Sequence, residues 1–274
     1  MWGDIVGKHL GKCALCGKEC ELTFEHIPPR AAFNSKPARP VSGFELLTEK
    51  NLNGSERMPW DTEGLRYQNQ QQGMGRYSLC KVCNNNTGSW YGDAYVFFAN
   101  VVHAAISSCS DDDSEGITIL DVYPLRFIKQ ILSMFCSTSD PDNSLLQPIR
   151  EFVLDKDAVG IDKRRYKLCM YFTKSSVYKQ TGIMVSAKWT QIGLELMTLA
   201  EITAYPLGFI LYFDPSDTWD FQGTDITSFS DCGYNDRGNV SLPWKIKEMN
   251  DLFPEAYRAK EEIQKRFEEN KEKE

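Results

Sequence analysis

Two Cys-x-x-Cys pairs, Cys13/Cys16 and Cys80/Cys83, constrain this chain more than any other feature. Four thiolates can close a tetrahedral shell around one zinc ion, with each sulfur about 2.3 Å from the metal. A site built from both ends of residues 17–79 joins segments that are distant in sequence, so metal binding supplies folding energy. The spacing predicts a structural Zn2+ at Cys13, Cys16, Cys80 and Cys83, and an N-terminal third that unfolds when the metal is removed. Cys20, four residues after Cys16, reads as a thiol packed beside this knuckle, because the four-sulfur set is already complete. Cys109, Cys136, Cys169 and Cys232 have no partners at metal spacing and read as buried or incidental.

The nine cysteines, an odd number, suit reduced thiols better than a disulfide framework. Met1 to Leu10 carries Asp4, Lys8 and His9 and lacks the apolar stretch of a secretory signal. The expected setting is the cytoplasm. The longest apolar run, Ala94 to Ile106, is broken by Asn100 and His103 and is too short to span a bilayer, so no membrane is expected. A formal charge of −7 deprives the chain of the general basic character of many nucleic-acid binders. Any attraction for phosphate must then come from a local patch.

Chemistry-bearing residues fall between and after the cysteine pairs. Glu25 and His26 are adjacent, and Asn84 directly follows the last cysteine. An imidazole titrates near neutrality and can take a proton from water. A carboxylate and an amide oxygen are adequate protein ligands for Mg2+, which prefers oxygen and keeps several waters. Plainer roles are open too. His26 could be an outer group of the zinc site, and Asn84 could cap the helix after it; Asn85 and Asn86 follow, so which amide does what is undecided. Adjacent residues on a regular strand point to opposite faces, so Glu25 and His26 share a site only where the strand twists or ends. Pro28 and Pro29 supply such an end.

Together, Cys13-Ala14-Leu15-Cys16, Phe24-Glu25-His26-Ile27-Pro28-Pro29 and Leu79-Cys80-Lys81-Val82-Cys83-Asn84 resemble the HNH (ββα-metal) endonucleases, in the branch with a zinc knuckle and Asn for the final His. The resemblance covers about residues 11–100. It implies hydrolysis of phosphodiester bonds in nucleic acid, DNA more than RNA, with His26 as general base and Glu25 and Asn84 as ligands of a catalytic Mg2+ or Mn2+. Glu25 stands where the family more often has Asp. The family's middle Asn usually lies a few residues before the third cysteine, where this chain has Gly75 and Arg76; Asn69 is the nearest candidate. Arg30, Lys36 and Arg39 follow the histidine and read either as phosphate clamps or as a solvated loop. Lys163-Arg164-Arg165-Tyr166-Lys167 could track a nucleic-acid backbone or simply begin an exposed strand. A different class of function also fits: a non-catalytic zinc module that binds nucleic acid or a protein partner. Small HNH effectors of bacterial defence resemble the layout by analogy, which would give the second half a regulatory partner or a homo-oligomeric interface.

The predicted fold class is α+β: a zinc-stapled ββα module over residues 1–110 with a polar insertion at about 31–76, then a mixed helix and strand domain over 117–274. The acidic stretch Ser110 to Gly116 is the expected boundary. Trp90 to Val102 should be a helix burying Tyr91, Tyr95, Phe98 and Val102. His103 on that helix reads as a packed or capped core histidine. Pro124 to Phe135 should be a second, amphipathic helix, and Asn143 to Leu154 a third. Tyr166 to Phe172, Gly182 to Trp189 and Leu207 to Phe213 read as strands. Leu194 to Thr203 fits helix or strand, Thr218 to Val240 reads as loop, and Pro254 to Glu274 as a charged helix.

Overall fold

A three-stranded antiparallel sheet opens the fold, in the order β1 (Leu10–Lys12), β2 (Glu19–His26) and β3 (Gly75–Cys80). The computed structural model describes residues 8–46, 58, 60–108, 116–190, 193–247 and 260–271. β2 stops at His26, just before the two prolines whose nitrogens cannot donate to a ladder. Within the described part of the expected insertion, Ala38 bridges Gln70, Val41 bridges Tyr67, and α1 (Gly43–Leu46) adds one helical turn. Gly75 and Arg76, assigned to the insertion from sequence, belong to β3 instead. The β2–β3 register shifts between Thr23 and Phe24, so Ser78 has no partner on β2. Such a bulge frees a backbone group for another use. Here the Ser78 carbonyl accepts the Ala14 N–H at 2.8 Å.

α2 (Lys81–Thr87) follows β3 directly and completes a ββα-like segment. A π-helical turn over Gly88–Gly92 leads into α3 (Asp93–Ser108). Tyr91, Tyr95, Phe98 and Val102 are all buried, as their spacing predicts. The acidic boundary largely lies outside the described residues.

Beyond it come β4 (Gly116–Val122) and α4 (Pro124–Thr138). The pattern of α4 predicts one apolar face and one solvated face, but every residue except Arg126 is buried. Its polar side chains meet protein instead of water: Lys129 Nζ donates to the Asp155 carbonyl at 2.5 Å, and Ser137 Oγ donates to Glu25. α5 (Gln147–Leu154) follows, after a short 3-10 turn at Ser144–Leu146.

β5 (Tyr166–Phe172), β6 (Lys179–Gln180), β7 (Met184–Thr190), β8 (Gly193–Ala204), β9 (Leu207–Phe213) and β10 (Thr224–Asp225) form one antiparallel sheet, ordered β10-β5-β9-β8-β6 with β7 also beside β8. The ambiguous Leu194 to Thr203 is therefore strand. β9 is apolar throughout, and β5 is apolar except for Lys167, because both faces are covered. Leu168, Met170, Phe209 and Leu211 join the main core, while Cys169, Tyr171, Ile210 and Tyr212 form a second cluster on the other face. The expected loop Thr218 to Val240 also contains a 3-10 turn, Thr227–Asp231, and the start of β11 (Gly238–Pro243), which pairs with β4. α6 (Lys260–Lys271) is the described part of the charged C-terminal helix.

One apolar cluster includes Cys13, Ile27 and Leu79 from the first segment and Phe127, Leu168 and Phe209 from the second. The ββα-like segment thus leans on α4 and the larger sheet. Among the described residues no helix is long and apolar enough to cross a membrane.

Candidate metal centre and adjoining site

Cys13 follows β1, Cys16 lies in the turn after it, Cys80 ends β3 and Cys83 sits in the first turn of α2. Their four sulfurs lie within 4.8 Å of one another. Cys16 Sγ and Cys80 Sγ are 3.9 Å apart, close to the ~3.8 Å edge of a tetrahedron with 2.3 Å metal–sulfur bonds. Among the described residues this is the one group of three or more Cys, His, Asp or Glu so arranged.

Backbone amides organise the cluster. The Cys80 N–H donates to Cys13 Sγ at 3.3 Å, and the Cys83 N–H to Cys80 Sγ at 3.4 Å, so a cluster sulfur also caps α2. The Cys83 thiol and the amides of Cys80, Cys16 and Leu15 hold the Cys13 thiol well below its ordinary value. Cys83 is pushed up by the same contact with Cys13, and Cys16 by burial. Four sulfurs so close cannot all be thiolates without a cation among them. The soft, all-sulfur donor set suits zinc. Cys20 is outside the cluster, with its thiol donating to the Lys18 carbonyl.

The knuckle is held from below by Arg150, which is 4 % exposed. Its guanidinium donates to the carbonyls of Ala14 at 2.9 Å, Asn143 at 3.0 Å and Asp140 at 2.9 Å. Sequence reasoning missed this residue, since no local pattern connects Arg150 with Ala14.

Glu25 and His26 diverge as strand alternation requires. Glu25 is 5 % exposed and accepts the Ser137 hydroxyl at 2.8 Å. Burial pushes its carboxyl up to about 8. His26 lies on the other face, its ring edge-on to Phe24 at 5.1 Å, with Nε2 3.0 Å from the Gln72 carbonyl. A carbonyl only accepts, so Nε2 carries the proton, and Nδ1 is the basic nitrogen of the neutral ring.

Asn84 donates its amide to Thr23 Oγ1 at 2.9 Å and to the Phe24 carbonyl at 3.2 Å. It therefore braces α2 against β2, on the face shared by Thr23 and Glu25. Asn84 Oδ1 and Glu25 Oε1 have no protein donor among the described residues. The N-cap of α2 is Cys80, which leaves Asn84 free of that role.

Asn34 ties the chain just after β2 to the chain just before β3, and Asn69, the nearest sequence candidate for the family's middle Asn, does not. Asn69 is exposed, whereas Asn34 is 8 % exposed. Its Nδ2 donates to the carbonyls of Pro28 and Met74, each at 2.7 Å, and its Oδ1 accepts the Met74 N–H at 2.6 Å. Gly73, at φ +99°, packs so tightly on Asn34 that an added Cβ would lie 2.2 Å from its carbonyl oxygen. Asn34 closes the turn that starts at Arg30, but its Met74 partner lies 40 residues on, and no local pattern connects the two. Arg30, Lys36 and Arg39 are exposed on this same segment.

His103 is half-buried, both packed and capped: the ring lies 4.5 Å from Phe33, and Nδ1 lies 2.7 Å from the Tyr205 hydroxyl. A scan against models of protein families, a search of curated proteins and a search of solved structures each give no match for this chain.

Proposed function

We propose that the protein is a metal-dependent endonuclease of the HNH type, hydrolysing phosphodiester bonds in nucleic acid, with DNA the preferred substrate. The observation that carries this reading is His26. It is a half-buried imidazole at the end of β2, with Nε2 committed to the Gln72 carbonyl and Nδ1 left as a base. It stands in a ββα-like segment whose helix starts inside a four-cysteine cluster.

In this reading Nδ1 of His26 takes the proton of the attacking water. Glu25 and Asn84 would hold Mg2+ or Mn2+ through Oε1 and Oδ1, and such an ion stabilises charge on the phosphate and the leaving oxygen. The Ser137 hydroxyl orients the Glu25 carboxylate, and Thr23 orients the Asn84 amide. Zinc at the four cysteines is structural.

The test is cleavage of supercoiled DNA, single-stranded DNA and RNA with magnesium or manganese, comparing wild type with His26→Ala after both are shown to retain zinc. Cleavage by wild type alone is the expected result; an equal rate in the variant removes His26 from the chemistry.

Glu25, buried on the face of β2 opposite His26, favours a second reading, a zinc module that binds a nucleic acid or a protein partner without cutting. A carboxyl buried and raised to about 8 is a poor cation ligand unless the cation itself draws off the proton. Calorimetric titration with magnesium separates the two: heat lost in Glu25→Ala and Asn84→Ala supports the nuclease, and no heat in wild type supports the binder.

A further inference from the structure

The outward face of the three-stranded sheet carries a row of rings that leads to His26. His9 stacks on Tyr77 with centroids 3.5 Å apart and planes 17° from parallel. Tyr77 meets Phe24 edge-on at 5.4 Å, and Phe24 meets His26 edge-on at 5.1 Å. Tyr77 is 46 % exposed, His9 is exposed, and Phe24 and His26 are half-buried. Strand register produces the row, since Phe24 pairs with Tyr77 and His26 with Gly75. Gly75 is needed there: an added Cβ would lie 2.7 Å from Phe24 Cζ, so its absence lets the Phe24 ring lie across β3.

Charge points to the same ligand. In a chain of net charge −7, the exposed cations Arg30, Lys36 and Arg39 form no ion pair with a carboxylate among the described residues. Arg39 instead lies 5.1 Å over the Tyr67 ring. The segment that bears them is tied to the end of the sheet by the Ala38–Gln70 bridge and by the Gly75 N–H on Gln70 Oε1 at 3.0 Å. The other basic run is internally neutralised. Lys163, Arg164, Arg165 and Lys167 face Asp231, Asp162, Asp214 and Asp225 respectively.

We propose that this face binds single-stranded nucleic acid, with unpaired bases stacked on Tyr77 and its neighbouring rings and phosphates held by Arg30, Lys36 and Arg39. Every unpaired base offers a π-face to an aromatic platform, whereas a duplex hides those faces. The proposal rests on the endonuclease reading and narrows its substrate to strands with unpaired bases next to the cut.

Fluorescence anisotropy tests it on the full zinc-loaded chain without added magnesium. The probes are a labelled thymidine oligomer of about 20 nucleotides, longer than one typical single-strand site, its uridine RNA counterpart, and a duplex of equal length. The expected result is tighter binding of a single strand than of the duplex. Tyr77→Ala should weaken single-strand binding about tenfold, while Tyr77→Phe, which keeps the ring, should bind like wild type. Arg39→Ala should lower the salt dependence by about one phosphate contact. Equal affinity for duplex and single strand, unchanged binding by Tyr77→Ala, or no binding of any probe overturns the proposal. Cleavage that persists with Tyr77→Ala binding unchanged refutes the stacking face alone. Single-strand binding that depends on Tyr77, without cleavage under any metal, refutes the nuclease alone.

Discussion

The Glu25 carboxylate accepts the Ser137 hydroxyl at 2.8 Å, tying the last turn of α4 to the strand that ends at His26. Burial raises the Glu25 carboxyl to about 8 from its ordinary 4.5. The folded protein therefore holds a proton that the unfolded chain releases between about pH 4.5 and 8. In that window stability falls as pH rises, with the full effect reached above the folded value. At 1.36 kcal/mol per unit, the span is on the order of a few kcal/mol. Glu25→Gln keeps a polar group of the same shape and cannot titrate. Its stability relative to wild type should rise from pH 6 to pH 8 in urea unfolding. Added magnesium should shrink that difference if Glu25 binds the ion, because a cation lowers the carboxyl again.

Arg150 holds the Cys13–Cys16 turn through the Ala14 carbonyl while its other two donors hold Asp140 and Asn143. Arg150→Met keeps most of the volume, strips the buried Ala14 carbonyl of its donor and leaves the Asp140 and Asn143 carbonyls with one backbone donor each. A loss of roughly 1–3 kcal/mol is expected. Because one of those carbonyls belongs to the knuckle, zinc should also leave faster. Release into a chromophoric chelator, timed beside wild type, measures this directly.

Asn34→Ala removes two donors and one acceptor from the junction of Pro28 with Met74. A cost of about 2–4 kcal/mol is expected from the unsatisfied backbone groups. Zinc content should be unchanged, since none of its contacts reaches the cysteines. Any cleavage by the wild type should fall in kcat more than in KM, because the loop carrying Gln72 orients the His26 ring. Thermal melting, metal analysis and kinetics together check the three parts.

Much of this architecture was legible because its signals are local. Cys13, Cys16, Cys80 and Cys83 come together as their spacing predicts, and β5 and β9 run over Tyr166–Phe172 and Leu207–Phe213, the apolar runs read from sequence. The helix face of Tyr91, Tyr95, Phe98 and Val102 followed from a 3.6-residue period. What stayed hidden depends on distant partners. β4 pairs with β11, Ser137 with Glu25, and Arg150 with Ala14, each over more than a hundred residues. Polar residues along α4 suggested water on one side, yet their partners are carbonyls and a carboxylate. Asn34 likewise spans Pro28 and Met74, a link that no local pattern marks.

Lys129 gives a last test, of how the buried polar side of α4 is balanced. Its ammonium is enclosed, donating to the Asp155 carbonyl at 2.5 Å and lying 4.2 Å over the Phe152 ring. Burial pushes its pKa down to about 8 from 10.5. Below pH 8 both folded and unfolded chains carry the proton, and the folded one bears the cost of an enclosed charge. Between about 8 and 10.5 the folded chain gives up its proton first, so stability rises with pH. Lys129→Met fills similar space without charge, at the loss of one hydrogen bond. The variant should be more stable than wild type near neutrality by on the order of 1–2 kcal/mol. That advantage should shrink steadily from pH 8 to 10.5. Unfolding curves collected across that range decide the matter: a constant difference would mean that Lys129 does not titrate early and that Asp155 and the ring fully compensate its burial.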